Sequence, residues 1–241
     1  MQCVILAGGL GMRLGSITRR VPKALVPING RPFVDYQLAW LARNSVETVV
    51  FCIGHLGAQI VDHVGNGAAF GLKVRYVEDG AVLCGTGGAL RRALDAGALS
   101  DHFFVLYGDS FLPIPFVPVF EHFRRCGCRA LMTIMRNNGR WDRSNVVFNP
   151  PRIALYDKKC ADKATHACMS HIDYGLSVLD RSLVAQQVPS NTTYDLSDLF
   201  HRLSLVGELA AHEVTERFYE IGSPEGIDDF SAYSAGLTLL S

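Results

Sequence analysis

Apolar runs bounded by turn residues alternate with helical patterns through the first half of the chain, which predicts βαβ units and a mostly parallel sheet. Residues 2 to 7 form the first strand. From Pro32 to Arg43 the positions Phe33, Tyr36, Leu38, Trp40 and Leu41 fit one helical face, with Pro32 tolerated in the first turn. Val46 to Ile53 reads as a buried strand, Ala58 to Val64 as a short helix, Lys73 to Val77 as a strand and Thr86 to Ala96 as a helix. Phe103 to Tyr107 is another buried strand, ending at Gly108-Asp109. Beyond residue 137 the pattern loosens into short strands at Asn145 to Phe148, Ile153 to Tyr156 and Ile172 to Leu179. Asp195 to Leu205 reads as a helix capped by Asp195 or Thr193, and Ser223-Pro224-Glu225 opens a C-terminal helix through Tyr233.

In open α/β sheets ligands bind outside the carboxyl ends of the strands. The first strand delivers Gly8 to Gly11 there and the later strand delivers Asp109, so both segments are expected on one sheet edge.

Composition narrows the classes. At 241 residues and 49% hydrophobic the chain can bury a substantial core, and one α/β domain over residues 1–241 is the expectation. Lys plus Arg and Asp plus Glu both total 23, so nothing in the charge points to nucleic acid or an anionic membrane, and any anion site must be local. No basic region precedes the short first apolar run, and no stretch approaches about 20 apolar residues. Seven scattered cysteines suit reduced thiols in a cytoplasmic protein.

The loop Gly8-Gly9-Leu10-Gly11-Met12-Arg13-Leu14-Gly15 follows a strand directly. Its glycines let the backbone approach a ligand and offer N–H groups to phosphate oxygens, while Arg13 adds a fixed positive charge. Two familiar phosphate loops fit poorly. A P-loop needs Gly-Lys-Ser/Thr, and the nearest lysine is the distant Lys23. The dinucleotide fingerprint needs a third glycine where Leu14 stands, and Pro22 and Pro27 interrupt the segment where its helix should run.

Leu6-Ala7-Gly8-Gly9-Leu10-Gly11-Met12-Arg13-Leu14 followed by Pro22-Lys23 resembles the signature of sugar-phosphate nucleotidyltransferases. Four further segments stand in family order: Gly85-Thr86-Gly87-Gly88-Ala89-Leu90, Gly108-Asp109, Asp157-Lys158, and Phe218-Tyr219-Glu220-Ile221-Gly222-Ser223-Pro224-Glu225. The resemblance covers roughly residues 2 to 230 and is strongest to bacterial heptose or hexose 1-phosphate guanylyltransferases. It implies a Rossmann-like three-layer α/β fold with a mostly parallel mixed sheet and a small sugar-binding lobe. Residues 1–136 would then hold a nucleoside triphosphate and 137–241 a sugar 1-phosphate, with a homo-oligomer left open.

The implied reaction is in-line attack of a sugar phosphate oxygen on the α-phosphorus of the nucleotide, in which charge neutralisation and positioning supply the rate. The resemblance makes Asp109 a Mg²⁺ ligand, with Mn²⁺ as a substitute, joined by Glu220 where many members carry aspartate. It puts Arg13 on the β- and γ-phosphates and Lys23 near the α-phosphate. Leu6, Ala7, Gly8, Gly9, Gly11 and Gly108 would line the nucleotide, and Gly85, Thr86, Gly87 and Gly88 would form the base-reading loop through backbone donors and acceptors. Asp157 and Lys158 match an acidic-Lys pair for the sugar phosphate, blurred by the adjacent Lys159, and Asn145, Asp173, Tyr174 and Gly175 fall where the family builds its sugar pocket. Met12 replaces a common threonine.

Other readings remain. Cys160, His166, Cys168 and His171 form a local cluster that could hold zinc, although the spacing lacks a paired knuckle. A silent homologue that binds a nucleotide sugar would keep the pocket and lose the metal ligands. A glycosyltransferase would carry Asp-x-Asp where Asp109-Ser110-Phe111 stands. Uridylyl-, cytidylyl- and thymidylyltransferases share the same phosphate machinery, so the base stays open.

Overall fold

In the computed structural model the residues described are 1–9, 11, 14–15, 19–80, 83–137 and 139–237. Strand β1 (Gln2–Ala7) runs into the glycine loop, and a 3-10 turn at Lys23–Leu25 leads into the ribbon β2 (Pro27–Ile28) and β3 (Arg31–Pro32). Helix α1 (Phe33–Arg43) precedes β4 (Thr48–Ile53), α2 (Gly57–Val64), β5 (Lys73–Glu78), α3 (Gly85–Asp95) and β6 (His102–Tyr107). Each lies within a few residues of its expected position, because the apolar periods there are long and cleanly bounded.

The next stretch departs from the sequence reading. The short β7 (Ser110–Phe111) is followed by α4 (Phe116–Cys126) and β8 (Ala130–Arg136), neither of which was anticipated. Pro113, Pro115 and Pro118 mask the helix start, although a proline in the first turn removes only a donor that has no helical partner. The run in β8 is apolar almost throughout, so it has no period to read. After β9 (Val146–Asn149), β10 (Arg152–Tyr156) and the short α5 (Lys163–Ala167) comes β11 (His171–Asp180). The remaining elements are α6 (Arg181–Gln187), α7 (Leu196–Leu205), β12 (Leu209–Val214), β13 (Tyr219–Glu220) and α8 (Pro224–Ser234). Asp195 caps α7 and Ser223 caps α8, each accepting a backbone N–H of the first turn.

Nine strands form one sheet in the order β5-β4-β1-β6-β11-β8-β12-β10-β9. The four strands from β5 to β6 are parallel, whereas β11 runs antiparallel to both β6 and β8. Side chains alternate between two helical layers. Ile5, Phe51 and Phe104 pack with Leu38 of α1, Ile60 of α2 and Phe116 of α4. Val4, Val50 and Phe103 pack with Leu90 of α3, Leu183 of α6 and Phe200 of α7. A smaller cluster joins Ile28, Phe33 and Phe111 to Ile221 and to Phe230 of α8.

The chain winds from β1 outward to β4 and β5, then crosses back to lay β6 on the other side of β1. Reversal at β1 and β6 opens a crevice at their carboxyl ends, the general ligand position of open α/β sheets.

Candidate active site

A cleft of about 250 Å³ occupies that crevice. Leu6, Ala7, Gly8, Gly9, Gly11, Lys23, Gly85, Thr86, Gly108 and Asp109 all line it, so ten of the residues singled out in the sequence meet in one place. Arg13 and Met12 lie outside the described residues. Close approach explains two of the glycines. A Cβ on Gly8 would sit 2.3 Å from Asp79 Oδ2, and one on Gly108 would sit 3.1 Å from the Leu6 carbonyl and the Ala7 Cβ. The Gly108 amide donates to the Leu6 carbonyl at 3.0 Å, which stitches the two strand ends together.

Lys23 Nζ and Asp109 Oδ2 are 2.6 Å apart, a charge-assisted hydrogen bond between side chains that are 18% and 22% exposed. The turn carrying Asp109 is held from several sides. Gln37 on α1, 2% exposed, donates through Nε2 to the carbonyls of Tyr107 at 3.0 Å and Ser110 at 2.7 Å. The Ile221 amide donates to the Asp109 carbonyl at 2.9 Å, and β13 pairs with β7 so that Glu220 faces Ser110. Ser110 Oγ donates to Glu220 Oε1 at 3.5 Å. Asp109 immediately precedes β7 and Glu220 stands on its partner strand β13, so the two acidic residues are neighbours in the fold, but Asp109 lines the cleft and Glu220 does not.

Asp79 was missed in the sequence. It is 5% exposed, directly follows β5 and lines the same cleft, where Cys84 Sγ donates to its Oδ1 at 3.4 Å. Burial raises its pKa, opposed by the Cys84 hydrogen bond and the Arg92 charge. A lone aspartate after a strand carries no signal of burial, which arises only because the glycine loop folds over it.

Of the glycines at the start of α3, Gly85 lines the cleft while Gly87 and Gly88 bond elsewhere. The amides of Gly87 and Gly88 donate to the Tyr194 carbonyl at 2.9 and 3.1 Å, so they dock the loop on α7's approach and do not line the cleft. Thr86 Oγ1 donates to Asp195 Oδ1 at 3.0 Å and accepts from the Leu196 amide at 2.8 Å. Burial pushes the Asp195 carboxyl up, but hydrogen bonds from Ser197 and Thr86 outweigh it and leave the pKa lowered.

Beside the cleft, Asn145 Oδ1 accepts the Asp173 amide at 2.9 Å, and Asp173 Oδ1 accepts the Gly175 amide at 2.9 Å. Burial raises the Asp173 pKa against the pull of the Gly175 amide and the Lys158 charge. Lys158 Nζ sits 5.8 Å from the centroid of the ring of Tyr107, a residue of the cleft, whereas Lys159 pairs with Asp198 at 2.9 Å. Burial, with Asp173, Asp195, Asp109 and Glu220 around it, pushes the Tyr107 phenol well up. Asp157 turns its carboxylate to the Lys159 amide. Tyr174 corrects the expected sugar pocket. Side chains alternate along β11, so it points away from Asp173 into the core, 1% exposed and edge-on to Phe218.

The four zinc candidates do not converge. Cys160 donates to the Asp162 carbonyl, Cys168 is exposed, and His171 contacts Ser170 and Glu213. Among the described residues no group of three or more His, Cys, Asp or Glu could hold a metal ion. No described helix is long and apolar enough to cross a membrane.

Several known proteins resemble the chain. A D-glycero-alpha-D-manno-heptose 1-phosphate guanylyltransferase of Campylobacter jejuni is 32% identical over 114 residues, 47% of this chain and 50% of that protein. One of the same name from Aneurinibacillus thermoaerophilus is 30% identical over 163 residues, 66% of this chain and 68% of that protein. The chain spans about half the length, or less, of several curated relatives it matches. The crystal structure of HddC from Yersinia pseudotuberculosis complexed with GMP-PN superposes with a TM-score of 0.78 at 22% identity, covering 96% of this chain and 98% of that one, which establishes the shared fold. A profile of the MobA-like NTP transferase domain matches residues 3–189, most of the sheet and the whole crevice, and the chain belongs to that family.

Proposed function

We propose that the protein is a sugar-1-phosphate nucleotidyltransferase, which joins a nucleoside triphosphate to a sugar 1-phosphate and releases pyrophosphate. The observation that carries this reading is the placement of Lys23 and Asp109, 2.6 Å apart, beside the glycine loop at the β1–β6 crevice. Residues 1–136 would hold the nucleotide and 137–241 the sugar phosphate, acting as one unit across the shared sheet.

In the reaction an oxygen of the sugar phosphate attacks the α-phosphorus while the bond to the β-phosphate oxygen breaks, and the electron pair leaves with pyrophosphate. Lys23 exchanges its bond to Asp109 for the α-phosphate, supplying a positive charge where negative charge accumulates. Arg13 would take the β- and γ-phosphates. Gln37 keeps the Asp109 turn in place, and Lys158 with Asn145 and Asp173 orients the sugar phosphate and its hydroxyls. Asp109 and Glu220 would hold Mg²⁺, which when bound neutralises phosphate oxygens and orients the triphosphate.

GTP is the favoured nucleotide and a heptose or hexose 1-phosphate the favoured partner. Two matched relatives are named guanylyltransferases, and the buried Asp79 carboxylate in the cleft suits a base edge that presents N–H donors, as guanine does with N1–H and the 2-amino group. Such a product would feed cell-surface polysaccharide assembly in the cytoplasm. The test is pyrophosphate release across GTP, UTP, CTP, dTTP and ATP against several sugar 1-phosphates, with and without Mg²⁺. Release with GTP and metal is expected. Silence in every well, or release indifferent to metal, sinks the reading.

A further inference from the structure

At the end of the sheet opposite the crevice, a cavity of about 360 Å³ opens between the last turn of α4 and the strands β10 and β12. Strand register fixes its place. Ala130 at the start of β8 pairs with Leu209 at the start of β12 and with Leu179 near the end of β11, and Leu179 pairs with Phe103 near the start of β6. The crevice lies at the other end of β6, and the two cavities share no lining residue. His122, Arg125, Arg152, Cys126 and Cys128 line this second cavity, and no acidic side chain does. Its cations are anchored without being neutralised. Arg152 donates to the Gly207 carbonyl, and Arg125 meets Glu121 only at 3.8 Å along the exposed face of α4, the weakest kind of ion pair. Burial and the hydrogen bond with Cys126 push the Cys128 thiol up against the pull of Arg152, so it stays neutral and adds no counter-charge. Nδ1 of His122 and Nδ1 of His212 lie 3.0 Å apart, one donating and the other accepting, which ties α4 to β12 and leaves Nε2 of His122 to meet a ligand. Burial, then the charges of His122 and Arg125, hold the His212 imidazole below its usual pKa, the mark of a positive local field.

We infer that this cavity is a second anion site, remote from the reaction, that takes a phosphate group. Three features select that ligand. Lys plus Arg and Asp plus Glu balance over the whole chain, so an acid-free wall with two guanidiniums is a local excess that an anion relieves. Guanidiniums present planar pairs of N–H donors that match the oxygens of a phosphate, and His122 supplies a further donor when Nε2 carries its proton. A phosphate dianion balances both guanidiniums, whereas a single carboxylate leaves one uncompensated. The volume falls within the range of small-molecule pockets, roughly 300–1,000 Å³, so a phosphomonoester is accommodated as well as the bare ion. Orthophosphate, pyrophosphate and a phosphomonoester share this chemistry. The site stands independently of the nucleotidyltransferase reading.

Imidazole ¹H–¹⁵N spectra of the full-length protein test it, with the His122 and His212 signals assigned through His122→Gln and His212→Gln. No histidine lines the β1–β6 cleft, so these signals report on the second cavity. Orthophosphate, pyrophosphate and methyl phosphate are titrated separately at an ionic strength held constant with potassium chloride. At least one should move both signals saturably, and the tightest of the three names the source of the phosphate. Arg125→Gln and Arg152→Gln should each weaken that binding about tenfold while circular dichroism shows both variants folded. Lys23→Ala, which removes the cation of the cleft, should leave the affinity within twofold of wild type. The site is overturned by signals that do not move, by equal movement with chloride alone, or by wild-type affinity in both arginine variants. Loss of the shift in Lys23→Ala overturns it too, because the ion would then sit in the cleft.

Discussion

Asp109 and Asp173 are both acidic and both close to the proposed reaction, yet their surroundings ask different things of them. Asp109 is paired with Lys23 at 2.6 Å and is proposed to pass to a metal. Asp109→Asn keeps the shape and removes the charge, so kcat should fall by about 10² or more, the loss expected for one preorganised charge-stabilising group. Steady-state pyrophosphate release checks it, and a variant within twofold of wild type would remove Asp109 from the mechanism. Asp173 is held with a raised pKa by burial. A carboxyl that binds its proton more tightly when folded than when unfolded is destabilising above the folded pKa, and that penalty vanishes below the unfolded value. Asp173→Asn should therefore melt higher than wild type at pH 7, the difference shrinking as the pH falls toward the ordinary carboxylate range. Thermal melts from pH 4 to 8 measure this; a variant that melts lower than wild type at pH 7 would show that the carboxylate is stabilising there.

The ribbon of β7 and β13 and the helix α1 behave as a clamp around the Asp109 turn. Gln37 is the hinge pin, since its one amide nitrogen satisfies the carbonyls on both sides of Gly108-Asp109. Gln37→Leu leaves both carbonyls without that donor, and each buried unsatisfied group costs about 1–3 kcal/mol. Urea denaturation should show a loss of about 2 kcal/mol or more, and kcat should fall while the nucleotide KM changes little, because Gln37 touches the turn and not the substrate. An unchanged midpoint and unchanged kcat would mean the turn is held by Ile221 alone. The start of α3 has a similar dependence on a distant element. Thr86 exchanges hydrogen bonds with Asp195 and Leu196, so a residue of the proposed nucleotide cleft is positioned by α7. Thr86→Val should raise the nucleotide KM by about tenfold or less while the melting temperature drops by only a few degrees, consistent with about 1 kcal/mol for one hydrogen bond. An unchanged KM would detach α7 from the nucleotide site.

Across the molecule, the site is built at the reversal of winding between β1 and β6, and the antiparallel insertion of β11 next to β6 brings Asp173 and Gly175 to the same edge. Two carboxylates at a ribbon tied down by backbone hydrogen bonds do not need a metal to fold. Chelation with EDTA should therefore abolish pyrophosphate release, restored by Mg²⁺ or Mn²⁺, and leave the melting curve in place. A melting temperature that collapses with EDTA would reveal a structural metal.

Local chemistry was enough to predict the parallel first half and the crevice edge where Gly8 to Gly11 and Asp109 meet, whereas Lys23 and Gly85 came from the resemblance to sugar-phosphate nucleotidyltransferases. Long apolar periods, strand-end glycines and their order along the chain are properties of neighbouring residues, legible without a fold. Glu220 was legible too, through its motif, but its pairing opposite Ser110 was not. What packing alone decided is the rest. The strand β8 has no telling period because both its faces are buried, and α4 hides behind prolines that a helix start tolerates. Tyr174 turns into the core and Asp173 to the other face, toward Tyr156 and the Lys158 charge, because side chains alternate along β11. Gln37 and Asp79 gain their roles from partners far along the chain, and such partners exist only once the sheet has brought them together.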